Sequence, residues 1–188
     1  TARGPRGNTL FRVAPVGGGE PQPWSDGGAV DWAPDSQSVA IVRSNRLWRL
    51  GLNDTEPKPL TAEVKGLRGP VFSPHGRTIA FSATASGHQD IWLVPATGGE
   101  PRQLTKQAMA EDDGRFDPAW SPDGRTIAFV SNKADYWADD IWLVDVASGN
   151  ARQLTKNITA IGSTMQWSPK GVRLAVFGTA KTDYWYLD

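Results

Sequence analysis

Cysteine is absent from this sequence, and histidine occurs only twice, at His75 and His88. The first absence excludes disulfides and thiolate metal sites. The second disfavours a metal-dependent lyase or hydrolase, because imidazole is the usual ligand and base for that chemistry. No Gly-x-Ser-x-Gly elbow is present, so a serine-hydrolase triad has no strained nucleophile to organise. Charge of one sign is not in excess: 20 Lys and Arg balance 20 Asp and Glu. That argues against a nucleic-acid or anionic-membrane footprint. No apolar run approaches the ~20 residues that span a bilayer. The opening TARGPRGNTL is not built like a signal peptide. A mature exported chain has already lost its signal, so periplasmic and cytoplasmic settings both stay open.

What the chain has instead is punctuation and repetition. Its 20 glycines and 14 prolines fall between short apolar runs, the pattern of strands joined by turns. The stretch PAWSPDGRTIAFVSN from Pro118 to Asn132 returns as VFSPHGRTIAFSA from Val71 and QWSPKGVRLAVFG from Gln166. A fainter copy, DWAPDSQSVAIVR, begins at Asp31. An aromatic marks each copy, at Trp32, Phe72, Trp120 and Trp167, with intervals of 40, 48 and 47 residues. Periods of this length are those of propeller blades.

The unit reads as four strands. The first carries the marker aromatic. A Ser-Pro-Asp-Gly turn follows, in which Pro presets φ and Gly76, Gly124 or Gly171 accepts a positive φ. Ser36 replaces that glycine in the first copy, so its turn is expected to be strained or differently built. The second strand (Thr126-Ile127-Ala128-Phe129 and its sisters) is apolar on both sides of the pleat, which fits a sheet covered on both faces. Its recurring alanine marks a place where neighbouring sheets approach closely. The third strand is Ile91-Trp92-Leu93-Val94 or a variant, with an extra version at Leu10 to Val13. The fourth ends in Pro59-Leu60-Thr61, Gln103-Leu104-Thr105 or Gln153-Leu154-Thr155, and Pro23-Trp24-Ser25 matches it.

These motifs (Pro-x-Trp-Ser-Pro-Asp-Gly, Ile-Ala-Phe, Asp-Ile-Trp and Gln-Leu-Thr) resemble the WD40-like repeats of TolB-type propellers. The same repeat occurs in the propeller domain of the prolyl oligopeptidase and dipeptidyl peptidase family. The resemblance covers about Leu10 to Asp188. It implies an all-β propeller of four-stranded antiparallel blades, with about four blades' worth here as a piece of a larger ring. Residues 1–188 form one segment: a partial blade at 10–25, blades at 30–61, 70–105 and 118–155, and a partial blade at 165–188. Blades stabilise one another, and open ends would favour self-association.

The leading functional expectation is the substrate-gating propeller of a prolyl-oligopeptidase-like serine peptidase, with the catalytic domain outside this chain. The alternative is a TolB-like periplasmic propeller that binds protein partners. Either way the partner is a protein or peptide, without cofactor or metal. The acidic residues Glu111, Asp112, Asp113 and Asp117 lack the spacing of a calcium loop and read as a solvated loop. The longest links, 106–117 and 132–139, fall on one rim, and long loops on a rigid scaffold carry recognition. Tyr136 and Trp137 in the second link match no repeat position. With Asp112 and Asp113 they are the candidate binding residues. Trp137 reads equally well as a binding anchor or as a side chain folded onto the neighbouring loop.

Overall fold

The computed structural model describes residues 9–12, 20–106, 118–135, 138–156, 161–178 and 185–187, and these contain strands and turns but no helix. β1 (Thr9–Arg12) and β2 (Gln22–Asp26) make a two-stranded ribbon. The first full sheet is β3 (Val30–Trp32), β4 (Ser38–Arg43), β5 (Arg46–Gly51) and β6 (Lys58–Pro59). The second is β7 (Arg68–Phe72), β8 (Thr78–Ala83), β9 (Asp90–Pro95) and β10 (Arg102–Gln103). The third is β11 (Ala119–Trp120), β12 (Thr126–Asp135), β13 (Ala138–Asp145) and β14 (Ala151–Gln153). The fourth sheet has three strands: β15 (Ile161–Trp167), β16 (Leu174–Gly178) and β17 (Trp185–Leu187). Every sheet is an antiparallel meander in chain order, which is the blade architecture expected from the repeat.

The second strands explain how the sheets stack. Side chains alternate across a strand, so one face looks back and the other forward. Ile79 and Phe81 look back into a core shared with Ala40 and Leu47 of the first sheet. Ile127 and Phe129 look back into a core shared with Ala80, Ile91 and Leu93 of the second. Leu174 does the same against Ala128, Val130 and Ile141 of the third. Each boundary therefore sets a large side chain against the alanine of the sheet before it. Phe81 and Phe129 are buried, and burial of this kind contributes about 2–3 kcal/mol each. Ala40, Ala80 and Ala128 are fully buried, whereas Ala175, at the same position of the fourth sheet, is exposed.

The fourth strands end earlier than the motif suggests. In all three full sheets the strand stops before the Leu-Thr pair. Leu60 and Thr61 both donate backbone N–H to Leu47 O, Leu104 and Thr105 both to Ile91 O, and Leu154 and Thr155 both to Ile141 O. The chain turns away there because the threonine hydroxyl has another task. Thr61, Thr105 and Thr155 Oγ1 accept from Leu47, Ile91 and Ile141 N at 3.1, 2.9 and 2.9 Å.

Candidate functional site

The first strands of the four sheets touch in series, β3 to β7, β7 to β11 and β11 to β15, and line the inner edge of the arc. The marker aromatics are stitches along this edge. Trp120 Nε1 donates to Val71 O at 3.1 Å, and Trp167 Nε1 donates to Ala119 O at 3.0 Å. Phe72 has no N–H on its ring. There the link is reversed: Phe72 N donates to Asp31 Oδ2 at 2.7 Å. Burial raises the Asp31 carboxyl above its ordinary range, opposed by the N–H groups of Phe72 and Trp32. Trp32 is 48% exposed, against 9% for Trp120, and its ring lies 5.8 Å from that of Trp24.

The turns at one end of these strands stack in the same series. Gly76, Gly124 and Gly171 sit at φ 68°, 70° and 72°. A Cβ on them would come within 3.5 Å of Pro34, 3.3 Å of His75 and 3.4 Å of Pro122, each in the turn of the preceding sheet. The positive φ favours glycine at all three, and at Gly124 a Cβ would in addition press on the His75 ring. Ser36 holds the same place at φ 59°, a left-handed conformation in a residue with a side chain. Between the strands and these turns lies a depression of about 460 Å³ lined by Phe72, Pro74, Trp120, Pro122, Met165 and Trp167. It is open and largely apolar, and the ring nitrogens of Trp120 and Trp167 are held by hydrogen bonds.

Carboxylates elsewhere have assigned duties. Ser121 Oγ and Arg125 N donate to Asp123, and these bonds hold its carboxyl below the usual range. The N–H and hydroxyl of Ser148 donate to Asp145, with the same effect. Asp90 and Asp140 are buried. Asp90 accepts from Gln103 Nε2 at 3.0 Å, Thr105 Oγ1 at 2.9 Å and Ser86 Oγ at 2.8 Å. Asp140 accepts from Gln153 Nε2 at 2.8 Å and Thr155 Oγ1 at 3.2 Å. Sequence reasoning recorded the Asp-Ile-Trp and Gln-Leu-Thr motifs but did not connect them. The signal was available: Gln and Thr follow Asp by 13 and 15 residues in both copies. In the first sheet the Asp and Gln positions are Arg46 and Pro59, so both are lost together.

No nucleophile–base pair occurs among the described residues. His75 sits in an exposed turn against Gly124, His88 in an exposed loop, and neither imidazole is hydrogen-bonded to a serine or carboxylate. No group of three potential metal-ligating side chains occurs among the described residues. No helix there is long and apolar enough to cross a membrane. Tyr136, Trp137, Asp112 and Asp113, the binding residues expected from sequence, lie outside the described residues.

The sequence matches the family described as "TolB beta propeller domain" over residues 28–184. It is 34% identical over 78 residues to the "Tol-Pal system protein TolB" of Anaeromyxobacter dehalogenans, a match covering 39% of this chain and 18% of that protein. The Anaeromyxobacter sp. (strain K) protein of the same name gives the same identity and coverage. Among solved structures, a putative TolB from Agrobacterium tumefaciens superimposes with a TM-score of 0.72 at 23% identity, covering 89% of this chain and 60% of that one. TolB from Acinetobacter baumannii gives 0.69 at 20% identity, covering 91% and 43%. A Nidogen/Laminin complex gives 0.66 at 15% identity, a likeness of fold alone. The chain thus spans less than two thirds of each of these proteins. The matches to TolB proteins favour the second functional expectation, the TolB-like propeller, over the peptidase propeller placed first.

Proposed function

This chain belongs to the TolB beta propeller domain family, and on that premise we propose that it is a non-catalytic propeller segment that binds a protein partner. The observation that carries the reading is the depression at the inner edge, where Phe72, Trp120 and Trp167 meet Pro74 and Pro122. Its aromatic rings are already fixed by packing and hydrogen bonds. A docking segment would therefore lose little of its affinity to ordering this surface. An apolar, shallow face suits an extended polypeptide with apolar side chains better than a small polar molecule. The relatives are named as Tol-Pal system proteins, and the proposed role is a docking part in such an assembly, in a periplasmic setting. Residues 1–188 act in it as one segment with blades at 30–61, 70–105 and 118–155.

A second candidate recognition surface is the set of residues expected from sequence, Tyr136, Trp137, Asp112 and Asp113. It is supported by Trp137, which matches no repeat position. Calorimetric titration with the Pal component of the same Tol-Pal system tests both. Gln166→Arg places a charge on an exposed residue of the depression. It should weaken saturable binding tenfold or more, about 1.4 kcal/mol, while Trp137→Ala leaves it unchanged. The reverse pattern moves the site to the residues around Trp137. Absence of saturable binding overturns the proposal.

A further inference from the structure

One position of the first full sheet breaks the repeat within a row that faces the next sheet. Residues directly opposite in an antiparallel pair share a face, so Ala40, Arg49 and Lys58 form one row across β4, β5 and β6. The same row reads Ala80, Leu93 and Arg102 in the second sheet. In the third it reads Ala128, Leu143 and Arg152. Leu93 and Leu143 are buried against the sheet that follows. Arg49 stands in their place, on the face that looks toward the second sheet, and is exposed. The exchange gives up the burial of a leucine and sets Arg49 opposite Lys58, a like-charge pair that weakens a sheet. Lys58 has Asp54 Oδ1 at 3.6 Å. Arg49 makes one hydrogen bond, from Nε to Ser38 Oγ at 3.0 Å, and its two Nη groups meet no acceptor among the described residues.

Arg49 lines a pocket of about 380 Å³ between the first two full sheets, with His75 and Thr97 as further polar groups and Phe72 and Pro74 as an apolar wall. Phe72 and Pro74 also line the inner depression, so the two hollows share that wall. His75 stands where the turns of the first and third sheets have Asp35 and Asp123. Arginine for leucine and histidine for aspartate both shift this pocket toward positive charge. We propose that it takes an aspartate or glutamate side chain of the segment docked on the inner depression, with the carboxylate held by the two Nη groups of Arg49. The inference rests on the docking face proposed above and adds what the docked segment must carry, an acidic side chain beside its apolar ones. A guanidinium matches a carboxylate in a pair of parallel hydrogen bonds. Thr97 Oγ1 and the His75 ring are the further donors at hand. Asp35 also lines the pocket, and its Oδ1 accepts from Gln37 N at 2.9 Å. No ion pair joins it to Arg49 among the described residues. Its charge repels a dianionic phosphate more than a single carboxylate, which favours the acidic side chain as the occupant.

Calorimetric titration of the intact chain with the Pal component of the same Tol-Pal system reads the inference through Arg49. Arg49→Leu writes the residue of the sister sheets into the first, so the thermal midpoint should be no lower than that of wild type. Binding should weaken about tenfold and lose part of its dependence on salt. Arg49→Lys keeps the charge without the planar fork and should fall between the two. Arg49→Glu should abolish measurable binding. Exchange of one acidic residue of Pal for lysine, found by scanning its Asp and Glu positions, should restore it. Arg49→Leu binding like wild type, while Gln166→Arg weakens binding, overturns this inference and leaves the docking face standing. Failure of every charge exchange to restore binding to Arg49→Glu overturns the acidic side chain as occupant. Absence of saturable binding to the wild-type chain overturns both the inference and the docking face.

Discussion

The first and third full sheets descend from one repeat and are held together differently. The third keeps every polar device: Ser121 Oγ accepts from Thr126 N, Gly124 takes the positive φ, and Asp140 gathers Gln153 and Thr155. In the first sheet these positions read Ala33, Ser36, Arg46 and Pro59. What remains is Asp35 accepting from Gln37 N, Thr61 Oγ1 accepting from Leu47 N, and a tight hairpin at Ser44-Asn45, whose two central residues have φ 49° and 55°. That is the signature of a turn whose twist matches the strands it joins. Arg49 Nε donates to Ser38 Oγ, and Arg43 pairs with Asp26 of the ribbon at 3.0 Å. A blade thus has two routes to a fixed third strand. A buried carboxylate can clasp the fourth strand to it, or a short hairpin can set its register.

Removing the clasp should break this comparison most visibly. Asp140→Ala leaves Gln153 and Thr155 without their shared acceptor and should cost roughly 2–4 kcal/mol, since bonds to charged groups and stranded buried donors are expensive. Arg46→Ala, at the same position of the first sheet, should fall within about 0.5 kcal/mol of wild type. Urea midpoints measure both, and equal costs would dissolve the distinction.

The next largest effect concerns packing. Ala128→Leu adds volume at a fully buried boundary and should cost about 1–3 kcal/mol, while Ala175→Leu, at an exposed position, should be near neutral. A neutral Ala128→Leu would mean that the boundary can widen.

The turns give a smaller, two-way test. Gly124→Ser puts a side chain at φ 70° and should cost about 1–2 kcal/mol. Ser36→Gly reverses the same balance of strain and chain entropy without a contact like that of Gly124 with His75, so its gain should be smaller, about 0.5 kcal/mol. Matching thermal shifts of opposite sign would show that nothing but φ matters. A larger loss at Gly124 would show the contact with His75.

The smallest effects are those of pH, and the two sheets should respond with opposite signs. The raised Asp31 carboxyl favours folding in its neutral form. Its contribution is full below the unfolded value near 3.8 and is lost as pH rises through the raised value. Asp123 and Asp145 are lowered, so theirs is present above 3.8 and lost as pH falls. Between pH 3 and 7, Asp31→Asn should improve stability at the neutral end relative to the acid end. Asp123→Asn with Asp145→Asn should flatten the acid loss. Identical pH profiles for both variants would contradict the assignment.

Much of the fold was legible because blades write it locally. Ser-Pro-Asp-Gly carries its own φ preferences, and the Ile-Ala-Phe run reports a strand buried on both faces. The close approach expected at the recurring alanine is seen at Ala40, Ala80 and Ala128. The inner depression was not legible, because Phe72, Trp120 and Trp167 lie 48 and 47 residues apart and meet only through the arc. The Asp90 and Asp140 clasps were half legible. Their members stand at fixed spacing, but hydrogen bonding between them exists only once strands three and four pair.

The sequence by itself determined the period, the strands, the turns that demand glycine and the class of fold, since each rests on preferences of a few adjacent residues. Tertiary structure alone decided which aromatics became stitches and which stayed open. Trp120 and Trp32 occupy the same repeat position, yet one donates to the preceding sheet and is buried while the other is half exposed. The difference lies in the neighbour. Val71 offers Trp120 a backbone carbonyl from an adjoining first strand, whereas Trp32 meets the ring of Trp24 on the two-stranded ribbon.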